Sequence, residues 1–385
     1  MYPLVEAGEL MAGRNGSLDP AKFPDEKFEL HSIPAFDAGR PAVLCGNEIG
    51  STKQIVQPND VMISKIVPHI RRSSVVGSSS GIRQIASGEW IVFRSCRVFP
   101  NYLRQVLVSD QFNAEFMATV SGVGGSLLRA RPAQVAKIKI PLPPLPEQRR
   151  IAAILDKADA LRAKRREAIV KLDQLLQSVF LEMFGDPVTN PKGWPMGRIR
   201  DLLESAKYGS SEKAALQGDV PILRMNNLTY GGEMDLTNLK YISTDGSMEK
   251  YTVRPGDILF NRTNSKELVG KTAVYDGPTP MAYAGYLVRA RTLKEHVPEY
   301  IASFLNSSSG KAILRAMCKS IVGMANINAQ EFQEISIPIP PSQLQYQFQL
   351  CTLTIRRKKK ALDQQLSRMD SLFHSLQQHA FAGTL

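Results

Sequence analysis

The sequence contains nearly the same segment twice, and this repetition limits the folds that the chain can adopt. Ile140-Pro-Leu-Pro-Pro144 recurs 197 positions later as Ile337-Pro-Ile-Pro-Pro341, and each copy precedes a long helix-like stretch. Upstream, Pro58-Asn-Asp60-Val-Met-Ile-Ser-Lys65 aligns without a gap on Pro255-Gly-Asp257-Ile-Leu-Phe-Asn-Arg262. A repeat of this length is too long for a solenoid unit. The chain is therefore predicted to consist of one domain and one helix that were duplicated.

The repetition divides the chain into four segments. Residues 1–142 and 187–339 are predicted to be two domains, and residues 143–186 and 340–385 the long helices that follow them. Apolar, β-rich runs alternate with turn signals in both domains, which is typical of mixed α/β structure. In the first domain, strands are predicted at 60–63 and 90–93 and a later helix at 102–119. In the second domain, strands are predicted at 257–260 and 286–288 and a later helix at 298–317.

The first long helix is predicted over 147–184, which lacks glycine and proline and is rich in good helix formers. At about 1.5 Å per residue it would be roughly 57 Å long. Apolar residues at alternating steps of four and three form a coiled-coil seam, which recurs 197 positions later. The seam residues are Ile151, Leu155, Ile169, Leu172, Leu176 and Val179 in the first helix, and Phe348, Ile355, Leu362, Leu366, Met369 and Phe373 in the second.

The matching seams predict that the two helices pack on each other within one chain. Arg162, Arg165 and Lys359 interrupt the seams, and polar residues at such positions can set the helix register. In the alternative, each helix packs against its own domain, but that contact would not require a seam of this length. The predicted fold class is α/β (α+β), with two α/β domains joined by two long antiparallel coiled-coil helices. Such a molecule has pseudo-two-fold symmetry that arises from the internal duplication.

Composition excludes several classes of protein. Apolar residues make up 43% of the chain and charged residues 22%, as in soluble globular proteins. No run of about 18 apolar residues suggests a membrane span, and the N-terminus does not resemble a signal peptide. The four cysteines have no paired spacing, which argues against a zinc site or a disulfide framework. These features predict a cytoplasmic protein without a membrane partner.

The charge of the chain indicates a polyanionic partner. Lysine and arginine number 48 against 36 acidic residues, a net charge of +12 that is spread over both halves. A basic folded protein of this kind favours nucleic acid, although charge alone says nothing about sequence recognition.

The motifs of nucleotide and metal enzymes are missing from the sequence. There is no phosphate-binding Gly-x4-Gly-Lys-Ser/Thr loop and no Asn-Pro-Pro-Tyr/Phe segment of the amino-methyltransferase type. Gly122-Val-Gly-Gly125 precedes no convincing helix, so it is interpreted as a turn. The five histidines lack metal-binding spacing. We therefore predict no catalytic residues, no bound metal and no cofactor in this chain, and a binding protein that lends specificity to enzymes.

Three segments resemble one known family. The join Ile140-Pro-Leu-Pro-Pro-Leu-Pro-Glu-Gln-Arg-Arg-Ile-Ala-Ala-Ile-Leu-Asp156 resembles the central conserved region of type I restriction–modification DNA specificity subunits. Gly193-Trp194 and Pro255–Arg262 match the same family, and the likeness covers essentially the whole chain. The second copy departs from the pattern, because Leu344-Gln345 replaces the Glu-Gln pair and Tyr346-Gln347 the two arginines. The departure argues against equal contacts with partner proteins at the two helix starts.

The resemblance implies that the two domains are target recognition domains in a non-catalytic prokaryotic subunit. Such a subunit binds a bipartite, asymmetric double-stranded DNA site, one half per domain. Its partners would be two modification subunits, which methylate adenine N6 with S-adenosylmethionine, and restriction subunits that translocate and cut DNA with ATP and Mg. The helix pair would then fix the distance between the half-sites.

Residues beside turn signals are the candidates for DNA contact, because Arg and Lys favour guanine and Asn and Gln favour adenine. Arg262 stands out since Lys65 occupies the equivalent position, and a shared position favours phosphate contact. The candidates are Lys53, Lys65, Arg71, Arg72 and Arg83 in the first domain, and Lys207, Tyr208, Ser210, Arg224, Asn226, Asn227, Arg262, Asn264 and Lys266 in the second.

Three other functions remain open at this point. An orphan or regulatory two-site DNA-binding protein would need the same rigid arrangement without a methyltransferase. A coiled-coil scaffold that binds protein alone would leave the different loops of the two domains unexplained. An enzyme with its own chemistry lacks any catalytic constellation in the sequence.

Overall fold

The computed structural model describes most of the chain, in two compact units. The described residues are 2–13, 15–79, 81–122, 128–243, 248–321 and 324–385. The first unit comprises Met1–Arg166 and Gln364–Leu385, and the second Glu167–Asp363. Each unit thus combines one domain with half of both long helices, whereas the segments drawn from the sequence separate domains from helices. Residues 123–125 of the glycine-rich segment lie outside the described residues.

The first unit is built on two main sheets. Its strands are β1 (Leu4–Glu6), β2 (Ser17–Leu18), β3 (Lys27–His31), β4 (Ala42–Cys45), β5 (Lys53–Ile55), β6 (Val61–Ser64), β7 (Ser73–Val75), β8 (Arg83–Ala86), β9 (Trp90–Phe93), β10 (Val120–Ser121), β11 (Arg129–Ala130) and β12 (Lys139–Pro141). One sheet has the order β2-β5-β8-β3-β4, in which β3 and β8 are parallel, and the other the order β7-β6-β9. Two antiparallel pairs, β1 with β12 and β10 with β11, complete the unit.

The second unit repeats part of this arrangement. Its strands are β13 (Met196–Arg198), β14 (Leu203–Tyr208), β15 (Val220–Leu223), β16 (Lys240–Ile242), β17 (Thr252–Val253), β18 (Ile258–Asn261), β19 (Thr263–Asn264), β20 (Thr272–Val274), β21 (Met281–Tyr283), β22 (Leu287–Thr292), β23 (Lys319–Ile321), β24 (Met324–Asn326) and β25 (Ser336–Pro338). They form sheets of order β14-β22-β18-β20, β16-β15-β21-β17 and β19-β24-β23, and β13 pairs with β25. The strands predicted from the sequence are confirmed as β6, β9, β18 and β22 with small shifts of their ends.

The α-helices make up much of the remaining regular structure, and two of them are long. They are α1 (Ile33–Asp37), α2 (Pro100–Leu107), α3 (Asp110–Ala118), α4 (Pro132–Val135), α5 (Leu145–Phe184), α6 (Pro298–Asn306), α7 (Ser308–Met317), α8 (Ala329–Gln333) and α9 (Ser342–Ala382). The long helices α5 and α9 confirm the predicted fold class of mixed α/β domains with two long helices. Gly185 ends α5 with a φ of 78°, a conformation that glycine adopts without strain.

The prediction of a single helix near the end of each domain is wrong, because the structure has two helices there. Ser109 lies between α2 and α3 in an extended conformation, and its hydroxyl accepts a hydrogen bond from the Phe112 amide at 3.3 Å. Ser307 separates α6 from α7 in the same way, accepting from the Gly310 amide at 3.0 Å. A serine that caps a new helix competes with continuation of the previous one.

A buried ion pair recurs in the two units at the repeat spacing. Asp60 is 1% exposed and accepts two hydrogen bonds from the guanidinium of Arg94, which directly follows β9, the strand next to β6. Asp257 and Arg291 form the same fork in the second unit, at 2.8 and 3.2 Å. A buried carboxylate is costly unless it is paired and hydrogen-bonded, so each arginine is required by its aspartate.

A buried glutamine fixes the start of each long helix on its domain. Gln148 is 0% exposed; its Oε1 accepts from the Phe99 amide at 2.7 Å and its Nε2 donates to the carbonyls of Pro143 and Arg97. Gln345, at the equivalent position of α9, accepts from the Val297 amide and donates to the Pro340 carbonyl at 2.8 Å. Each glutamine therefore satisfies backbone groups on both sides of the join.

Halves of α5 and α9 pack antiparallel in both units. In the first unit, Arg162 on α5 donates to Asp370 on α9 at 2.6 Å. In the second, Lys359 on α9 donates to Asp173 on α5 at 2.6 Å and to Glu233 at 2.9 Å. The two interhelical pairs are equivalent at the spacing of 197. Two of the three basic residues that interrupt the seams, Arg162 and Lys359, are thus paired with carboxylates of the facing helix.

The seam residues of both helices are buried or half-buried. Ile151, Leu155 and Phe373 belong to the core of the first unit, and Phe348 to that of the second. The half-buried ones are Ile169, Leu172, Leu176, Val179, Ile355, Leu362, Leu366 and Met369. The α5 end Phe180–Phe184 contributes further aromatic rings to the second core. The helices are thus part of each hydrophobic core.

We expect Gln148→Leu to lower the free energy of unfolding of the first unit by about 2–4 kcal/mol. The substitution removes the partner of the buried Pro143 carbonyl and of two part-buried groups, the Phe99 amide and the Arg97 carbonyl. Gln347→Leu, on the exposed surface of α9, is the matched control and should change stability by about 0.5 kcal/mol or less. Urea unfolding followed by circular dichroism measures both. Equal stabilities of the two variants would contradict the structural role of Gln148.

Candidate nucleic-acid interface

Three arginines predicted to contact DNA in the first unit are engaged with carboxylates. Arg72 donates from Nε and Nη2 to the carboxylate of Asp37 at 2.7 and 2.9 Å, and its side chain is 11% exposed. The pairs are Arg71 with Asp110, Arg72 with Asp37 and Arg83 with Glu26. Because the carboxylate holds one or two N–H donors of each guanidinium and offsets its charge, a base or phosphate would have to compete with the carboxylate.

Two of the other first-unit candidates differ in their surroundings. Lys53 on β5 is half-buried and donates from Nζ to the carbonyl and hydroxyl of Ser51. Burial lowers the pKa of Lys53. Lys65 directly follows β6, where its amide donates to the Glu89 carbonyl at 2.9 Å. Lys65 therefore lies at a sheet end, and Lys53 supports a local turn.

Lys65 lies close to two residues, Glu89 and Arg129, that were not predicted from the sequence to contact DNA. The Lys65 carbonyl accepts from the Ala130 amide at 2.8 Å, which places Lys65 beside β11. There the Arg129 guanidinium lies 3.2 Å from the Glu89 carboxylate. The Arg129 side chain is 61% exposed and that of Glu89 30%. A comparison of the two copies at the spacing of 197 could have identified Glu89, because the equivalent residue, Tyr286 next to β22, has an unrelated side chain.

The second unit brings Tyr208 and Arg262 together. The Arg262 guanidinium lies 4.9 Å from the centre of the Tyr208 ring, and the Tyr208 hydroxyl accepts from the Ala329 amide at 2.9 Å. The Nε of Arg262 is buried and has no hydrogen-bond partner among the described residues. Lys207 precedes Tyr208 on β14 and is exposed. A cation stacked on an exposed aromatic ring is suited to contact nucleic acid.

The candidates in the loop after β15 have local structural roles. Asn227 is 1% exposed; it accepts from the Arg224 amide at 2.9 Å and donates to the Asp235 carbonyl at 2.8 Å. Arg224 also donates to the Asn238 carbonyl at 2.9 Å. Asn226, which lies between them, is exposed. Of this group, Asn226 is therefore the residue best placed to meet a ligand.

Buried lysines hold that loop against the sheet. The Lys271 ammonium donates to the carbonyls of Met225 and Leu228 at 2.7 and 2.5 Å, and burial lowers its pKa. Burial, with the charges of Lys271 and Arg315, lowers the pKa of Lys311 to about 8. Lys311 donates to the Gly270 carbonyl at 3.1 Å, next to Lys271. Both ammonium groups are enclosed by protein, so Lys271 positions the loop, Lys311 supports the segment that carries Lys271, and neither offers charge to a ligand.

The three remaining candidates are dispersed. Ser210 is 4% exposed and its hydroxyl accepts from the Glu212 amide at 3.1 Å. Asn264 is half-buried and accepts from the Ser265 amide, whereas Lys266 is exposed. Lys266 is thus available at the surface, and Ser210 and Asn264 shape local turns.

A cleft of about 560 Å³ opens on the first unit. Its lining includes Glu29, His31, Phe36, Ser74 and Trp90. His31 is 8% exposed, with Nε2 at 3.2 Å from the Glu29 carboxylate. Burial lowers the pKa of His31 and outweighs the opposite effect of Glu29. The imidazole is therefore held in its neutral form at neutral pH.

Two classes of site have no counterpart in the described residues. None of the described helices combines the length and the apolar composition that a membrane-spanning helix requires. Nor do three or more His, Cys, Asp or Glu side chains converge, within the described ranges, where they could hold a metal ion.

The family model described as "Type I restriction modification DNA specificity domain" matches residues 101–171 and 191–349, which is more than half of the chain. The chain belongs to this family of DNA specificity proteins. The resemblance drawn from the proline-rich join is confirmed.

Individual relatives agree with the family assignment. The MjaX type I restriction enzyme specificity subunit of Methanocaldococcus jannaschii is 30% identical over 162 residues, covering 41% of this chain and 38% of that protein. The EcoKI specificity subunit of Escherichia coli K12 is 26% identical over 289 residues, covering 68% and 61%. The chain thus spans less than two thirds of the length of these two relatives.

A solved structure has the same fold as this specificity-family chain. A chain in a structure of a type I R-M system matches with a TM-score of 0.59 and 21% identity, covering 100% of this chain and 98% of that one. At this identity the similarity is evidence for the fold.

We expect acid to destabilise the first unit through His31. Its pKa in the folded state lies below the usual 6.5, so the unfolded state binds the proton more readily. The stability contributed by the neutral imidazole is complete above about pH 6.5 and falls as the pH decreases through that value. Between pH 7.5 and 5.5 the wild type should therefore lose more thermal stability than His31→Gln. His69→Gln, at an exposed position, should behave like the wild type, and parallel losses in all three proteins would contradict the inference.

Proposed function

We propose that this chain is the non-catalytic DNA-binding subunit of a type I restriction–modification enzyme. It binds double-stranded DNA at a bipartite, asymmetric target, with one half-site for each domain. The observation that carries this proposal is the repeated framework of the two units, in which equivalent positions carry different side chains. The Asp60–Arg94 and Asp257–Arg291 forks recur, whereas Glu89 stands where the second unit has Tyr286.

Charge supports DNA as the ligand. The net charge of +12 is that of a protein with a polyanionic partner. Lys65 and Arg262 lie at equivalent sheet ends, each with its amide bonded to the carbonyl across the sheet. A basic residue shared by both units suits the phosphate backbone, which is the same in both half-sites.

The proposal assigns the enzymatic steps to partner proteins. Two modification subunits would methylate adenine N6 with S-adenosylmethionine, and restriction subunits would use ATP and Mg to translocate and cleave DNA. The two helix starts offer these partners different surfaces. On α5, Glu147 accepts from Arg150 and from Tyr2, whereas Leu344 occupies the equivalent position of α9. Unequal contacts at the two ends are therefore part of the proposal.

Mapping N6-methyladenine in a host genome tests the proposal. The chain is co-expressed with the modification subunit of its system, and the genome is sequenced by a long-read method. A split motif with a fixed spacer is expected, with half-site centres about 10 base pairs apart, so that both domains meet the same side of the duplex. An assembled complex that produces no methylation would instead favour a regulatory DNA-binding protein. A single unbroken motif would contradict the reading of one half-site per domain.

We expect the long helices to set the spacer. Removing two heptads from each, residues 161–174 and 358–371, keeps the seam pattern and shortens each helix by about 21 Å. The methylated motif should then have a different spacer and unchanged half-sites. Replacing the same segments by other heptads with an identical seam is the length-matched control and should leave the spacer as it is. An unaltered spacer in the shortened variant would show that the helices do not measure the target.

A further inference from the structure

The same backbone frame occurs at one sheet end of each unit. In the first unit, the Lys65 amide donates to the Glu89 carbonyl at 2.9 Å and the Lys65 carbonyl accepts from Ala130 at 2.8 Å. In the second, the Arg262 amide donates to the Tyr286 carbonyl at 3.0 Å and its carbonyl accepts from Ile327 at 2.9 Å. All three positions of each frame are related by the spacing of 197, so three chain segments meet in the same way in both units.

The side chains on this common frame differ in a regular manner. The central position is basic in both units, as Lys65 and Arg262. The first flanking position carries Glu89 in the first unit and Tyr286 in the second. The residue directly before the second flanking position is Arg129 in the first unit and Asn326 in the second, so the side chains beside the central position are unrelated. At the other end of β6 the Asp60–Arg94 fork is retained in the second unit as Asp257–Arg291. A retained framework with exchanged flanking side chains is the arrangement expected of positions that recognise two different partners.

We propose that Glu89 and Arg129, and likewise Tyr286 and Asn326, are base-reading residues, and that Lys65 and Arg262 hold the phosphate backbone. This inference rests on the proposed function as a two-site DNA-binding subunit. It assigns one basic anchor and two variable readers to each half-site. The anchor is shared because phosphate is the same in every sequence, and the readers differ because the base edges do.

The chemistry of the first pair of readers fits a G·C base pair. Arginine donates two hydrogen bonds to guanine O6 and N7, and glutamate accepts from the cytosine N4 amino group. Arg129 is also paired with a carboxylate, but only its Nη2 donates to Glu89, at 3.2 Å, in contrast to the two-donor forks of Arg72 and Arg83. The pair therefore presents a donor and an acceptor side by side. The 61% exposure of the Arg129 side chain leaves it accessible to a groove.

The second pair of readers has a different chemistry. Asn326 is half-buried, and its enclosed side-chain oxygen has no hydrogen-bond partner within the described part of the chain, so the side chain must turn outward to meet a base. Asparagine pairs with adenine N6 and N7, and an aromatic ring packs on a base face or a thymine methyl group. Tyr286 is 51% exposed, beside the Arg262 anchor. This pair is therefore suited to a half-site position that contains adenine.

Selection from a pool of random DNA duplexes by the full-length chain, assembled with its modification subunit, tests the proposal. Arg129→Gln should reduce discrimination at one base pair of one half-site by roughly 5- to 150-fold and leave the other half-site unchanged. Lys65→Gln should weaken binding on all sequences and reduce the salt slope by about one, without changing the motif. Arg131→Gln is the matched control, since Arg131 is exposed two residues from Arg129 and donates to the Ser121 hydroxyl at 2.9 Å.

The outcomes separate this inference from the proposed function. If the wild type selects a split motif and Arg129→Gln selects the same motif with undiminished discrimination, the assignment of readers is wrong while the DNA-specificity function stands. A uniform loss of affinity for Arg129→Gln would make Arg129 a phosphate contact, which also overturns the assignment. A wild type that selects no motif would refute the proposed function itself. Should the melting temperature of Arg129→Gln fall, Glu89→Gln and Asn326→Ala test the same assignment in each unit.

Discussion

The fully buried glutamine at the start of each long helix is the contact on which the rest of the structure depends. Gln148 and Gln345 both satisfy a domain amide through their side-chain oxygen and a proline carbonyl through their nitrogen. A buried glutamine side chain whose polar atoms lacked partners would cost free energy. The arrangement that satisfies all of these groups is therefore favoured over others. The helix direction is thereby fixed with respect to the domain that precedes it.

Reciprocal ion pairs extend this constraint along the helices. Arg162 meets Asp370 in the first unit, and Lys359 meets Asp173 in the second, at equivalent positions of the repeat. A seam made of apolar residues alone tolerates register shifts, whereas a charged residue within it requires its partner at one place. The Arg162 guanidinium also lies 4.2 Å from the centre of the Phe373 ring, so the charged group is packed on an aromatic face as well as paired. For a subunit proposed to read a split site, a single helix register means a single spacer.

The candidate interface shows why a count of arginines does not locate a binding surface. Arg71, Arg72 and Arg83 are among the most attractive DNA contacts in the sequence, but each forms an ion pair with a carboxylate. Those carboxylates are 39, 35 and 57 residues away along the chain. At the sheet ends, by contrast, Lys65 and Arg262 share a frame with side chains of mixed chemistry. For locating a binding surface, positions that share a backbone frame but differ in side chain between the two units are more informative than positive charge.

The sequence by itself determined the duplication, the long helices, the strands β6, β9, β18 and β22, and the family, because these depend on local composition and on a spacing that can be read along the chain. It did not place the helix breaks at Ser109 and Ser307, where capping competes with helix continuation. Only the tertiary structure decided which charged groups are paired and which residues share a sheet end, as for Lys65, Glu89 and Arg129. Such contacts join distant segments, and no local pattern of side chains specifies which of them will meet.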